Sequence, residues 1–246
     1  MNLVMPMAGR GSRFAQVGYT LPKPLIDVRG LPMYAWATES LPLELATRLI
    51  FICLEEHLRD LKLEQDIRTR YAKWKPTIVP LGKVTQGQAC TVLEAEGALD
   101  LSAPLVIYNA DTYCRTNLPT TLASLGKDVA GVLGVFKAPG DKWSFARTDA
   151  QGRVVEVAEK KRISDWCSTG LYHFTRAQDF VTEAKAMIAA DDRVNGEFYV
   201  APVYNRLIAQ GREVRLDVAP EVWVLGTPED LTDFEARYRG PVPARR

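Results

Sequence analysis

Residues 3–14 read LVMPMAGRGSRF, a short apolar run followed at once by a loop with two glycines and two arginines. The apolar run, Leu3 to Met7, predicts a buried strand. The glycines let the next residues turn sharply and present N–H groups to an anion. Arg10 and Arg13 add guanidinium groups that suit phosphate. The stretch indicates a strand followed by an anion-binding loop, although a tight surface turn has the same local signature.

The spacing of this loop excludes two common phosphate-binding motifs. A Walker A loop needs four residues between its glycines and then Lys-Ser/Thr, whereas one residue separates Gly9 from Gly11. A dinucleotide fingerprint needs a third glycine where Phe14 stands, and Pro22 and Pro24 would interrupt its long helix.

A lysine held between two prolines follows the loop, in the run LPKPL at residues 21–25. The prolines restrict the backbone, so the Lys23 ammonium can be aimed with a small loss of entropy. A solvated lysine on a rigid turn is the structural alternative.

Strand-like and helix-like segments alternate through the first half of the chain. This alternation predicts an α/β fold, Rossmann-like, with a mostly parallel central sheet flanked by helices. The strands are expected at 3–7, 48–54, 77–81, 104–108 and 129–136, and the helices at 33–41, 57–73 and 88–99.

The pattern changes after Lys142, and we expect a smaller antiparallel region there. Residues 139–142, Pro-Gly-Asp-Lys, are the best candidate for the junction between the two parts. Later strands are expected at 144–148, 154–157, 171–174, 214–218 and 222–225, and later helices at 177–190, 199–210 and from Thr227 onward.

Composition excludes several classes of protein. The chain carries 31 basic and 30 acidic residues, so no overall field favours nucleic acid or an anionic membrane. No apolar run reaches the ~18 residues that span a bilayer, and no basic region precedes the first apolar run as in a signal peptide. The four cysteines form no CxxC pair, so we expect free thiols, no zinc site and a cytoplasmic protein.

A series of short motifs, taken in order, resembles the signature of the sugar-phosphate nucleotidyltransferases. The resemblance runs from about residue 2 to residue 235, and the ordered set is far more specific than any single motif. The motifs are MAGRGSRF at 7–14, PKP at 22–24, TQGQA at 85–89, NAD at 109–111, EK at 159–160, TGLY at 169–172, GEFY at 196–199 and GTPEDL at 226–231.

The resemblance implies an enzyme that transfers a nucleotidyl group from a nucleoside triphosphate to a sugar 1-phosphate or a similar phosphorylated acceptor, releasing pyrophosphate. One nucleotidyltransferase domain would fill residues 1–246, with 1–138 mainly binding nucleotide, 139–235 mainly binding acceptor and 236–246 forming a tail. The expected partners are these two small molecules, with no nucleic acid and no membrane, and a homo-oligomer is left open.

The resemblance also implies roles for individual residues. Arg13 would hold the β- and γ-phosphates, Lys23 would stabilise charge on the α-phosphate, and Asp111 would bind Mg²⁺. The carboxyl end of a buried strand suits Asp111 as a ligand, although an Asx turn is its structural alternative. Other nucleotide contacts would be Met7, Ala8, Gly9, Gly11, Gly87 and an amide of Gln86 or Gln88. Acceptor contacts would be Glu159, Lys160, Thr169 and Gly170. Solvated charges are expected at Arg10, Lys161 and Arg162.

Two departures from the family pattern affect these expectations. Many members carry an aspartate, a second metal ligand, where this chain has Val224, so Asp217 and Glu197 are the alternative carboxylates. Ser144-Phe145 stands where Tyr-Gly is common, so the acceptor need not be glucose 1-phosphate. Similar short variants belong to capsule, lipopolysaccharide and phosphocholine pathways.

Three other readings follow from these departures. One is a cytidylyltransferase for phosphocholine or another non-sugar phosphate, and another is a nucleotide-binding protein without catalysis. A glycosyltransferase would normally carry Asp-x-Asp, which residues 111–113 do not supply. Aromatic and apolar residues predicted to lie in the core are Trp36, Trp143, Trp223, Tyr199, Tyr204 and Leu207.

Overall fold

The computed structural model describes residues 1–9, 11–126 and 128–243. Arg10, predicted to be a surface charge, lies outside these residues, as does the end of the predicted tail. The strands are β1 Asn2–Pro6, β2 Asp27–Val28, β3 Leu31–Pro32, β4 Arg48–Leu54, β5 Thr77–Leu81, β6 Leu105–Tyr108, β7 Thr112–Arg115, β8 Val129–Lys137, β9 Ser144–Thr148, β10 Val154–Glu159, β11 Trp166–Phe174, β12 Glu213–Val218 and β13 Glu221–Val224.

The helices lie mostly between these strands. They are α1 Ser12–Gln16, α2 Met33–Thr38, α3 Glu55–Asp60, α4 Leu63–Arg70, α5 Gln88–Leu93, α6 Leu118–Ser124, α7 Ala177–Ala189, α8 Val203–Ala209 and α9 Pro228–Arg237. Single 3₁₀ turns occupy Lys23–Leu25, Leu43–Leu45, Ala72–Trp74 and Glu96–Ala98. No helix in the described part of the chain is long and apolar enough to cross a membrane.

A nine-stranded sheet organises the molecule, with the strand order β10-β9-β11-β6-β1-β4-β5 along its main path. Its strands β6, β1, β4 and β5 are parallel neighbours. The strand β11 is antiparallel to β6, β8 and β9, and β12 is parallel to β8. The predicted α/β class, with a parallel sheet and an antiparallel region in the second half, is confirmed.

Apolar side chains cover both faces of the sheet. Because side chains alternate along a strand, Leu3 and Met5 of β1 pack into one buried cluster and Val4 packs into another. A third cluster contains Trp36 and Phe234 and lies around α2 and α9. Trp36, Tyr204 and Leu207 are core residues as predicted, and Trp223 packs against the third cluster while remaining partly exposed.

Two predicted helices differ from the observed elements for backbone reasons. The helix expected at 57–73 is interrupted at Lys62, whose φ of 54° is left-handed, so it becomes α3 and α4. The helix expected at 199–210 begins only at Val203, because Pro202 lacks an N–H and is tolerated only at a helix start. Tyr199 therefore lies in a loop before α8.

A small strand that the sequence analysis did not predict connects the sheet to the C-terminal segment. The strand β7 pairs antiparallel with β13, and the backbone N–H of Leu225 donates to the carbonyl of Asp111 (2.8 Å). This pairing brings the residues after β13 beside the residues after β6. Packing continues beyond α9, since Tyr238 is buried.

Candidate active site

A cavity of about 680 Å³ opens at the carboxyl ends of β1 and β6. Open α/β sheets bind ligands at this edge, because the loops after neighbouring parallel strands meet there. Of the predicted nucleotide, metal and acceptor contacts, its wall contains all but Gln86 and the alternative carboxylate Asp217, namely Met7, Ala8, Gly9, Gly11, Arg13, Lys23, Gly87, Gln88, Asp111, Glu159, Lys160, Thr169, Gly170 and Glu197. One cavity thus unites residues from both halves of the chain.

The glycine loop, of which the structure describes residues 7–9 and 11–14, packs at Gly11 against the lysine between the two prolines. Gly11 has a φ of 60°, and a side chain there would begin 2.6 Å from Lys23 Cβ. Only glycine fits this close approach without displacement. The buried Pro24 fixes the 3₁₀ turn that carries Lys23, and the exposed Arg13 projects from α1 at the cavity edge.

An ion pair joins the loop after β1 to the loop after β6. Lys23 Nζ donates a short hydrogen bond to Asp111 Oδ2, and the two side chains are 22% and 26% exposed. Asp111 stands three residues beyond the end of β6, where β7 and β13 hold its backbone. Both groups therefore remain accessible from the cavity.

A second ion pair lies beside the first. Lys142 Nζ donates to Asp230 Oδ1 (3.2 Å), and both residues line the cavity. A side chain at Gly226 would begin 3.5 Å from Asp111 Oδ2 and 3.6 Å from Asp230 Oδ2, so the two carboxylates face the same glycine. Val224, which also lines the cavity, contributes only methyl groups here.

Of the two alternative carboxylates, only Glu197 reaches the cavity wall. Asp217 is 1% exposed and accepts hydrogen bonds from Thr116 (2.5 Å) and Thr121 (2.6 Å), away from the cavity. The expectation that Asp217 can replace the missing aspartate as a metal ligand is wrong, because its buried oxygens already accept the hydrogen bonds that join β12 to the segment around α6.

The loop before α5 packs closely against the backbone of Phe198. Gly87 has a φ of 136°, and a side chain there would begin 2.4 Å from the Phe198 carbonyl oxygen. The Gln86 side chain turns outward and accepts from Arg193 Nη2 (2.7 Å). Gln88 faces the cavity instead and donates to Asn109 Oδ1 (2.6 Å). Of the two amides weighed from the sequence, the structure places Gln88 in the wall.

The opposite wall carries a carboxylate and a lysine from the end of β10. The Ser144 hydroxyl donates a short hydrogen bond to Glu159 Oε2, while burial raises the pKa of that carboxyl, a shift that Ser144 and Lys160 oppose. Lys160 has a left-handed backbone, with a φ of 52°, and its N–H donates to the Trp143 carbonyl (2.8 Å). Thr169 is buried next to them at the start of a bulge in β11.

Two aromatic residues predicted to be core residues line the cavity instead. Tyr199 accepts a hydrogen bond from Lys160 Nζ, and Trp143 lies partly exposed under Lys142, whose ammonium is 4.8 Å from its ring centroid. Helical spacing suggested burial for Tyr199, but the helix starts after Pro202. Lys161 and Arg162 are surface residues as predicted, and Arg162 pairs with Asp165.

The cavity therefore combines four cationic side chains, from Arg13, Lys23, Lys142 and Lys160, with four carboxylates, of which Asp111 and Asp230 are neighbours. Such a set can bind a molecule with several phosphates and a divalent cation together. The sequence analysis missed Lys142 and Asp230. Asp230 belongs to the GTPEDL motif, but its backbone N–H also completes the Thr227 helix cap, which is a sufficient structural reason for a polar residue there.

Comparisons of the sequence and of the structure with known proteins point to the same family. The sequence profile of the nucleotidyl transferase family matches residues 3–239. The structure is similar to that of the nucleoside-diphosphate-sugar pyrophosphorylase from Vibrio cholerae RC9, with 31% sequence identity and a TM-score of 0.81. The alignment covers 96% of this chain and 100% of the Vibrio chain.

Two further similarities are more limited. The chain is 30% identical over 167 residues to the bifunctional protein GlmU of Novosphingobium aromaticivorans, covering 62% of this chain and only 36% of that relative. The inositol-1-phosphate CTP transferase from T. maritima shares the fold, with 18% identity, a TM-score of 0.73 and coverage of 93% and 90% of the two chains.

Proposed function

The chain belongs to the nucleotidyl transferase family, and from that premise we propose that it transfers a nucleoside monophosphate from a nucleoside triphosphate to a sugar 1-phosphate or a similar phosphorylated acceptor. Pyrophosphate is the second product. The observation that carries this proposal is the Lys23–Asp111 ion pair, which lies between the glycine loop and the wall formed by Glu159 and Lys160 in one cavity.

The reaction needs charge placement more than a general base. The second pKa of a phosphate monoester is near ~6, so the acceptor is already largely ionised at neutral pH. Its oxygen attacks the α-phosphorus in line. A new P–O bond forms, the bond from the α-phosphorus to the bridging oxygen breaks, and that electron pair leaves with pyrophosphate. Positioning and electrostatic stabilisation then supply the catalysis.

Three of the four cationic side chains have a place in this scheme. Arg13, beside the glycine loop, binds the β- and γ-phosphates of the triphosphate. Lys23 leaves its ion pair and stabilises the charge that develops on the α-phosphate. Lys160 binds the acceptor phosphate on the opposite wall. Met7, Ala8, Gly87 and Gln88 surround the nucleobase, while Glu159, Thr169 and Gly170 contact the acceptor.

The chemistry of the nearby donors fits Mg²⁺, because Asp111 and Asp230 present carboxylate oxygens to the same side of the cavity. We assign these two residues, rather than Asp217, to the cation. When bound, Mg²⁺ would neutralise phosphate charge and orient the triphosphate. The nearness of both carboxylates to the point where a side chain at Gly226 would begin supports this assignment, since the methyl groups of Val224 cannot ligate.

Two observations bear on the chemical class of the acceptor: the names of similar proteins and the residues in the acceptor wall of the cavity. The Vibrio relative is named as a nucleoside-diphosphate-sugar pyrophosphorylase, which supports a sugar 1-phosphate as the acceptor. The proposed role in surface polysaccharide synthesis rests on the sequence resemblance alone. A specific observation favours a second candidate, a cytidylyltransferase for a non-sugar phosphate such as phosphocholine. Trp143 and Tyr199 make the acceptor wall aromatic. A cytoplasmic location follows from the supply of nucleoside triphosphates.

The test is a matrix of pyrophosphate release. ATP, GTP, CTP, UTP and dTTP are each combined with glucose 1-phosphate, other sugar 1-phosphates, phosphocholine and phosphoethanolamine in the presence of Mg²⁺. One productive pair establishes the reaction and both specificities. Triphosphate binding without pyrophosphate release in any combination would contradict the transfer reaction and favour a nucleotide-binding protein without catalysis.

A further inference from the structure

The Lys160 ammonium rests on an aromatic residue rather than on a carboxylate. Its Nζ donates a hydrogen bond to the Tyr199 hydroxyl and lies 4.7 Å from the centroid of the same ring. An ammonium has three donors, so this contact leaves two of them for a ligand. Because its partner is a neutral hydroxyl, this contact does not neutralise the charge of the ammonium.

Two carboxylates stand close enough to compete for this ammonium. The pKa of Lys160 is raised, because the lowering effect of burial is outweighed by the Tyr199 hydroxyl and by Glu159 and Glu197. Glu159 is already engaged by Ser144. Glu197 is exposed and lines the cavity, so it is the group that Lys160 would join if Tyr199 were absent.

The Tyr199 hydroxyl is suited to keep the two charges apart. Burial raises its pKa, an effect that Lys160 opposes and Glu197 reinforces, so the hydroxyl stays protonated at neutral pH. Its oxygen accepts from Lys160, and its proton is available to Glu197. The neutral hydroxyl thus interacts with both the cation and the anion.

Tyr199 is also held in place by the loop on the other side of the cavity. Its neighbour Phe198 is buried, donates from its N–H to the Gln86 carbonyl (3.0 Å) and accepts from the Ala89 N–H (3.0 Å). Gly87 makes this contact possible, because a side chain there would overlap the Phe198 backbone. The loop of Gln86 and Gly87, proposed to contact the nucleobase, therefore holds the backbone next to Tyr199 in place.

We propose that Tyr199 is a positioning residue that holds the Lys160 ammonium free of Glu197, so that it can bind the phosphate of a phosphomonoester acceptor. This inference rests on the proposed function, which assigns Lys160 to the acceptor phosphate. It goes further in giving the acceptor site a residue that touches no reacting atom and acts through the lysine. A purely structural tyrosine would affect folding instead.

The decisive experiment measures Lys160 directly and needs no turnover. The protein is acetylated with acetic anhydride at increasing concentrations of inorganic phosphate, and the acetylation of Lys160 is measured by peptide mass spectrometry. The phosphate concentration that gives half-protection is compared among wild type, Tyr199→Phe, Tyr199→Leu and Tyr199→Leu combined with Glu197→Gln. Lys185, which pairs with Glu96 outside the cavity, is the internal reference.

We expect Tyr199→Leu to raise the half-protection concentration about fivefold, because phosphate would then have to displace Glu197 from an ion pair with Lys160. Tyr199→Phe removes only the hydroxyl and keeps the bulk of the ring, which still hinders Glu197, so it should raise the half-protection concentration about threefold. Adding Glu197→Gln to Tyr199→Leu should return the value to within about twofold of wild type, because the competing carboxylate is gone. Restoration by a change at Glu197 is not expected of a structural role.

Three outcomes would overturn the proposal: no protection of Lys160 in wild type, equal half-protection in wild type and both single variants, or no recovery in the double variant. Circular dichroism checks folding, and if Tyr199→Leu is unfolded, Tyr199→Phe alone decides. Failure of the transfer reaction is separately visible in the pyrophosphate matrix. Phosphate protection that depends on Tyr199 would stand even if no combination there reacted.

Discussion

Lys23 Nζ donates a hydrogen bond to Asp111 Oδ2 across 88 positions of the sequence. The two residues proposed to bind opposite partners, phosphate and a cation, thus neutralise each other in the folded chain. Their side chains are only partly buried, so the pair can separate without exposing an apolar surface. Binding of the triphosphate with its cation gives each residue a new partner of opposite charge.

Loss of either member of this pair should stop catalysis without unfolding the protein. We expect Lys23→Ala and Asp111→Asn each to lower kcat at least about 10²-fold, because each removes charge stabilisation at the transferred phosphate. Their free energy of unfolding should change by no more than about 1 kcal/mol, as for other partly exposed ion pairs. Steady-state pyrophosphate release and urea unfolding measure both. Wild-type turnover in either variant would remove that residue from the mechanism.

Arg13 should contribute mainly to binding of the triphosphate. Replacement by alanine removes one bidentate cation from the cavity edge, and we expect the Kd of the nucleoside triphosphate to rise about tenfold. Calorimetric titration with Arg13→Ala measures this change. Arg59→Ala, on an exposed arginine paired with Asp60, is the matched control. Unchanged triphosphate affinity in Arg13→Ala would argue against the assignment of the glycine loop.

Substitution of Asp230 should affect binding of the divalent cation, whereas substitution of Asp217 should affect stability. Asp230→Asn should weaken binding of Mn²⁺, used as a spectroscopic substitute for Mg²⁺, about tenfold in the presence of triphosphate. Asp217→Asn should leave Mn²⁺ affinity unchanged and lower the free energy of unfolding by about 2 kcal/mol, because its hydrogen bonds to Thr116 and Thr121 are weakened. Electron paramagnetic resonance gives the Mn²⁺ affinity. Equal Mn²⁺ affinity in Asp230→Asn and wild type would refute our choice of ligand.

Gly87 should tolerate no side chain. In Gly87→Ala the new methyl group would meet the Phe198 backbone in a conformation that L-residues rarely adopt, and we expect a loss of about 2 kcal/mol in the free energy of unfolding. Gly97→Ala is the control, since nothing lies within 4 Å of the added carbon. Chemical unfolding of both variants measures the difference. Similar stability of the two would mean that the Phe198 contact is easily displaced.

His173 should make the protein less stable in mild acid. Burial lowers its pKa to about 4, and its Nδ1 has no hydrogen-bond partner. Above a pH of about 6.5 the histidine is neutral in both states and contributes no pH dependence. As the pH falls from about 6.5 to 4, the unfolded chain binds a proton that the folded chain excludes, so the free energy of unfolding decreases by up to about 3 kcal/mol.

The variant His173→Gln isolates this effect. Its free energy of unfolding should change less than that of wild type between a pH of 7.5 and a pH of 4.5, whatever its absolute value. Burial also lowers the pKa of His57, so His57→Gln serves as the comparison for the second histidine. Parallel pH profiles for wild type and His173→Gln would show that His173 is protonated in the folded protein.

The sequence predicted the parts of the site that follow strands. The glycine loop and Asp111 follow apolar runs within a few residues, and parallel pairing of those runs brings Gly11 and Asp111 into one cavity. The periodicity of apolar residues can predict these strands, because the burial of a strand is visible in its own short stretch of sequence. The interruption at Lys62 depends on its left-handed backbone conformation, and the late start of α8 depends on Pro202. The spacing of apolar residues contains neither kind of information.

The residues that were missed depend on contacts between distant segments. Asp230 reaches the cavity because β13 pairs with β7, a strand too short and too polar to predict from its own sequence. Tyr199 faces Lys160 because a glycine more than a hundred positions away lets Phe198 approach. Gln86 and Gln88 are two positions apart, and only the fold decides which amide turns inward.

The strand β10, which ends in Glu159 next to Lys160, is the outermost strand on its side of the sheet and pairs only with β9 along the main path. The glycine loop and Asp111 instead follow the interior strands β1 and β6, and the loop with Gly87 follows β5 at the opposite margin. Evolution can therefore change the acceptor by altering the β10 margin of the sheet while leaving its centre and its β5 margin intact. Protein engineers have the same opportunity: a library confined to Trp143, Ser144 and Tyr199 should diversify acceptors while retaining nucleotide preference.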